Sequence, residues 1–104
     1  TYDIIMMDPP AFGNGPHGEK WQFERDFKGL LEIAVSLLSK QALLLMVNTY
    51  SDAGTLQFLE KSFAAATQGL QGGNVKVGTL ALATRTGRMV PTGNFAYWQF
   101  SDIV

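Results

Sequence analysis

Tyr2-Asp3-Ile4-Ile5-Met6-Met7-Asp8-Pro9-Pro10-Ala11-Phe12-Gly13 is the stretch on which the fold reading turns. A nearly unbroken apolar run closes on an acid and two prolines. The lack of polar alternation predicts a strand over Tyr2 to Asp8, buried on both faces as in a parallel sheet. Pro9 and Pro10 stop it, because neither has an N–H to give to a ladder. The following residues, Ala11 to Gly18, include three glycines, a proline and a histidine, and read as a loop.

Downstream, the apolar period changes. Phe23, Phe27, Leu30, Leu31, Ala34 and Leu38 recur at spacings of three and four, one face of a helix over about Phe23 to Ser39. Gly29 inside it costs about 1 kcal/mol relative to Ala, and close packing against the sheet would account for it. Ala42 to Asn48 is a second buried strand. Ser51-Asp52 offers a helix start, Leu56, Leu59, Phe63 and Ala66 form the next apolar face, and Gly69 is a candidate C-cap. Val75 to Thr84 reads as a third strand and Phe95 to Phe100 as an aromatic fourth. Residues 85–88 and 91–94 read as loop. Strand, helix, strand, helix, strand, strand predicts an α/β parallel sheet with crossovers. The last two strands are too closely joined for a crossover and are expected to form an antiparallel hairpin.

Composition narrows the function classes. Of 104 residues, 46 % are hydrophobic and 16 % charged, against about 25 % charged in an ordinary soluble domain. The chain is therefore greasier than a self-sufficient domain of its length. Eight Lys and Arg against nine Asp and Glu give a net charge of −1. That balance excludes nucleic-acid binding by charge alone and leaves no polybasic run for a membrane surface. There is no cysteine, hence no disulfide frame, thiolate metal site or cysteine nucleophile, which fits a reducing, cytoplasmic compartment. The longest apolar run, Ala42 to Val47, is far short of the ~20 residues that span a bilayer. The first residue is Thr1, with no signal-peptide layout, and the ends read as cut ends.

In an open parallel sheet, ligands bind outside the carboxyl ends of the strands. Two polar clusters lie there, Asp8 to Gly13 and Asn48-Thr49-Tyr50-Ser51. If their strands are neighbours, both clusters share one rim. Asp8 offers a carboxylate acceptor, Pro9 and Pro10 stiffen the backbone behind it, and Phe12 offers a flat face. That set suits a nucleobase held out of its stack. Each residue also has a plainer reading. Asp8 would be a turn residue, Phe12 a loop residue folded onto the core, Asn48 a partner of loop backbone, and Tyr50 part of the core edge. His17 reads as a solvated loop histidine, so no metal site is expected. Trp21 and Trp98 read as packing residues, Arg85 and Arg88 as a solvated hairpin tip, and Glu24-Arg25-Asp26 as a polar helix start with local charge pairs.

Asp8-Pro9-Pro10 after Tyr2-Asp3-Ile4-Ile5 resembles motif IV of the class I S-adenosylmethionine-dependent methyltransferases. With Gly18-Glu19-Lys20-Trp21, Glu24-Arg25-Asp26, Asn48-Thr49-Tyr50-Ser51 and Arg88-Met89-Val90-Pro91-Thr92-Gly93, it is similar to the bacterial branch related to ribosomal RNA large-subunit methyltransferases. The resemblance covers the whole chain. It implies a three-layer Rossmann-like sheet of order 3-2-1-4-5-7-6, of which residues 1–104 would be the C-terminal half: strands 4, 5, 6 and 7 with helices D and E. It implies S-adenosylmethionine as cofactor and RNA as substrate. Asp8 and Pro9 would be catalytic and cofactor-contacting, and Pro10, Phe12, Asn48 and Tyr50 would face the substrate. The Gly-rich loop and strand-end acid that carry most of the family's cofactor site have no counterpart here. Residues 13–18 are a poor match to a phosphate loop. Without cysteine, the covalent route to pyrimidine carbon 5 is not expected, and a nitrogen or oxygen acceptor is. The rival expectation is an inactive fragment, a pairing unit without cofactor binding, that self-associates through its exposed first strand.

Overall fold

A computed structural model describes residues 1–10, 12–50 and 54–101. Ala11, Ser51 and Asp52 lie outside the described residues, as do the side chains of Phe12 and Tyr50. The elements are β1 (Ile4–Met7), β2 (Phe12–Asn14), β3 (Lys20–Gln22), α1 (Phe23–Leu37), β4 (Leu44–Tyr50), α2 (Leu56–Ala66), β5 (Gly73–Ala83) and β6 (Met89–Phe100). Four strands form one sheet in the order β1-β4-β6-β5. β1 runs parallel to β4, while β6 is antiparallel to both β4 and β5. This is the 4-5-7-6 order implied by the methyltransferase resemblance, with the closing hairpin in place.

Register shows which face is covered. Ile5 lies beside Leu45, Trp98 and Val75, and Met7 beside Val47, Ala96 and Val77. These residues share a core with Phe23, Phe27, Leu31 and Ala34 of α1 and Leu59 and Phe63 of α2. Phe27 stacks on Phe23 at 4.5 Å between centroids and packs against Phe58 and Phe63. Both helices thus bury their apolar stripes on one side, and the described residues supply two layers, sheet and helices. The opposite face carries Ile4, Met6, Leu44, Met46, Phe95 and Tyr97. Ile4 is 53 % and Met6 64 % exposed. The expectation that β1 is buried on both faces is therefore corrected. Its run lacks alternation because both faces are apolar, yet only one has a helix against it.

Local differences have local causes. Residues 12–22 form a two-stranded antiparallel hairpin, β2–β3, whose first strand and tip lie where a loop over Ala11 to Gly18 was expected. α1 ends at Leu37, because Leu38 is already extended and bridges Tyr2. Gly29 is exposed with open space around it, so it serves no close approach to the sheet. α2 starts at Thr55, whose Oγ1 accepts from the Phe58 N–H at 3.1 Å. It ends at Thr67, whose hydroxyl donates to the Phe63 carbonyl at 2.6 Å, rather than at Gly69. β6 absorbs residues 89–94, with a register shift opposite Leu80/Ala81 that accommodates Pro91. Gly73 leaves room for Trp98, whose ring occupies the space a Cβ would take.

Candidate functional site at the carboxyl rim of β1 and β4

β1 and β4 are adjacent and parallel, with Met7 beside Val47. Asp8 and Asn48 are therefore the next residues on neighbouring strands, and both sequence-predicted clusters leave the sheet at one rim. β1 stops there because two prolines follow, while β4 continues to Tyr50 along β6. Asp8 and Pro10 are exposed, and Pro9 between them is buried. Asn48 belongs to the open face of the sheet. Its Oδ1 is buried and has no hydrogen-bond partner among the described residues. A buried acceptor without a donor is uncommon, because its lost hydration is not replaced. Two residues with acceptor side chains, Asp8 and Asn48, thus follow one another on neighbouring strands at this rim, with the buried Pro9 directly behind Asp8.

Next to Asn48, Thr49 points to the core face and is 3 % exposed. Its Oγ1 exchanges hydrogen bonds with the Asn94 backbone, donating to the carbonyl at 3.2 Å and accepting from the N–H at 3.3 Å. The Asn94 amide donates to the Gly54 carbonyl at 2.9 Å, and its Oδ1 accepts from the Thr79 hydroxyl at 3.3 Å. Asn94 thereby ties β4, β5, β6 and the start of α2 together behind the rim. Gly54 has φ +74°, and a Cβ there would meet the Phe23 ring at 2.7 Å. Sequence reasoning missed Asn94 by assigning it to a loop. The signal was the run of polar and small residues leading directly into an aromatic strand.

The hairpin is secured to the same rim. The Trp21 indole N–H donates to the Pro10 carbonyl at 2.7 Å. Gln22, the N-cap of α1, donates its N–H to Asp26 Oδ2 at 2.8 Å. Arg25 pairs with Asp26 at 2.8 Å and donates to the Lys20 carbonyl. The Arg25 hydrogen bond, followed by the Gln22 N–H, holds the Asp26 carboxyl below its ordinary value. The same bond raises the Arg25 guanidinium. At the hairpin tip, His17 is exposed and its N–H is held by Glu19 at 2.7 Å. Arg85 and Arg88 are exposed at the β5–β6 turn, and Trp98 is packed in the core. Among the described residues, no group of three acids or histidines is placed to hold a metal, and no helix is long and apolar enough to cross a membrane.

Hollows among the described residues lie away from this rim. One of about 490 Å³ is lined by Ser39, Ala42, Leu43, Leu70, Trp98 and Phe100, at the opposite end of β4. Another of about 520 Å³ lies between α1 and α2, over Leu31, Phe58 and Ala66.

The chain matches no protein-family model and no curated protein. Among solved structures it is similar to the SAM-dependent methyltransferase from Agrobacterium tumefaciens, with a TM-score of 0.84 and 35 % sequence identity. The match covers 95 % of this chain and 33 % of that one, so the chain spans a third of that enzyme's length. Strand order, the antiparallel β6 between β4 and β5, and this likeness together show the fold of the class I S-adenosylmethionine-dependent methyltransferases.

Proposed function

We infer that this chain supplies the methyl-acceptor side of an S-adenosylmethionine-dependent methyltransferase acting on a nitrogen or oxygen atom of RNA, in the cytoplasm. The observation that carries this reading is the convergence of Asp8, Pro9 and Asn48 on one rim, in a chain similar to a SAM-dependent methyltransferase. An amino or hydroxyl group is a hydrogen-bond donor, and a rim built of acceptors complements it. The Asn48 Oδ1, without a partner among the described residues, fits such a donor, and the Asp8 carboxylate fits the ammonium group of the cofactor's methionine end.

Bound cofactor supplies an activated methyl group on sulfur. Asp8 would accept a hydrogen bond from the acceptor atom, or take its proton as the methyl carbon's bond to sulfur breaks, leaving a thioether, and its bond to that atom forms. The Pro9 carbonyl orients the same atom, and Pro10 keeps the backbone stiff. Holding the acceptor in line accounts for much of the rate such a site gains. Remaining cofactor contacts come from residues outside this chain, in keeping with its span of a third of the similar enzyme.

The test is transfer of labelled methyl from S-adenosylmethionine to total cellular RNA by the full-length protein. Asp8→Ala is expected to lower the rate by about 10²-fold or more. An unchanged rate removes Asp8 from the mechanism. The open apolar face of β1 and β4 supports a second reading, that the 104 residues alone are a pairing unit without cofactor binding. Micromolar binding of S-adenosylhomocysteine by the isolated chain would overturn it.

A further inference from the structure

We propose that Trp21 is the positioning residue that sets the Asp8-Pro9-Pro10 corner, a role that rests on the methyl-transfer reading of that corner. The argument is a count of free torsions. Asp8 and Pro9 each precede a proline, which confines their ψ to the extended range. The rings of Pro9 and Pro10 fix both φ angles. Two soft torsions remain: φ of Asp8, which directly follows β1, and ψ of Pro10, which determines where the Pro10 carbonyl points. That carbonyl is the acceptor of the Trp21 indole N–H at 2.7 Å. A single side-chain hydrogen bond therefore fixes the exit of a corner whose entry leaves β1 and whose middle is held by proline chemistry.

The indole is itself held. Trp21 is paired with Gly13 across the hairpin, and its half-buried ring packs against the core. On one side Gln22 is tied to Asp26, and on the other the Lys20 carbonyl is tied to Arg25. The first turn of α1 thus holds β3, β3 holds the indole, and the indole holds the corner. The bond also occupies the Pro10 carbonyl. The Pro9 carbonyl and the Asp8 carboxylate are left as the corner's acceptors for substrate.

Two substitutions in the full-length protein separate positioning from packing. Trp21→Phe keeps an aromatic ring and removes the N–H; Trp21→His returns an N–H donor on a smaller ring. With tritiated S-adenosylmethionine and total cellular RNA, Trp21→Phe is expected to lower kcat about tenfold or more, because small misplacement of reacting groups is costly. KM for S-adenosylmethionine is expected to stay unchanged, and Trp21→His to regain part of kcat. A Trp21→Phe kcat equal to that of the unsubstituted protein overturns the proposal, as does an equal loss in both variants. Amide hydrogen exchange at Gly13 and Asn14 gives a readout independent of activity. Faster exchange in Trp21→Phe, with the exchange of β4 unchanged, supports the lock, and unchanged exchange at Gly13 and Asn14 overturns it. If the unsubstituted protein transfers no methyl group, the methyl-transfer reading fails and exchange alone decides whether Trp21 holds the corner.

Discussion

At the scale of single residues, the sequence carried the position of strand-end residues better than the aim of individual side chains. The placement of Asp8, Pro9 and Asn48 at strand ends was legible, because a strand-end acid before two prolines, and an amide ending a second strand, are few enough to stand out. Their convergence depended only on β1 and β4 being neighbours, which the register now shows. Asn94 was not legible, since a polar residue among small ones reads as loop until β6 is seen to run through it. Trp21 read as packing alone, because nothing in the sequence aims an indole N–H at a carbonyl eleven residues earlier. Gly29 shows the converse error. A mid-helix glycine suggests close contact, yet this one faces open space. Gly29→Ala is therefore expected to stabilise the fold by about 1 kcal/mol, through helix propensity alone. A raised midpoint in chemical denaturation with unchanged slope would show this, and a lowered midpoint would mean that something packs on Gly29.

At the scale of elements, long periodic segments declared themselves, whereas short ones and ends did not. The 3.6-residue stripe of α1 was read to within two residues of its end. The three-residue strands β2 and β3 were not, because so few residues carry no period. Their stability comes instead from ties to the first turn of α1, and those ties titrate. Asp26 has a lowered pKa in the folded chain, so its contribution is present above its ordinary value of 3.8 and is lost as pH falls through the lowered one. Asp26→Asn is expected to remove that part of the acid dependence. The check is amide exchange or fluorescence of Trp21 followed from pH 7 downward. The substituted protein would hold the hairpin less tightly already at neutral pH and show less further change in acid than the unsubstituted one. An acid response identical in both would place the titrating group elsewhere.

At the scale of the whole molecule, the low charge and high apolar share now have a location. They lie on the sheet face bearing Ile4, Met6, Leu44 and Met46, and at the end strand β1. An apolar end strand invites pairing with another chain, and a lysine on it is a common natural deterrent. The 104-residue chain by itself is expected to sediment as dimers or larger species, and Met6→Lys to shift it toward monomer. A strictly monomeric profile for the unsubstituted chain would show that the face is tolerated in water.

The central claim is that the Asp8-Pro9 rim, rather than a hollow elsewhere on the molecule, faces the methyl group to be transferred. The most direct measurement is a crystal structure of the full-length protein with S-adenosylhomocysteine and its RNA acceptor. The account predicts the homocysteine sulfur directed at the Asp8-Pro9-Pro10 corner beside Asn48. A ligand seated at the opposite end of β4, among Ser39, Leu43 and Trp98, would contradict it.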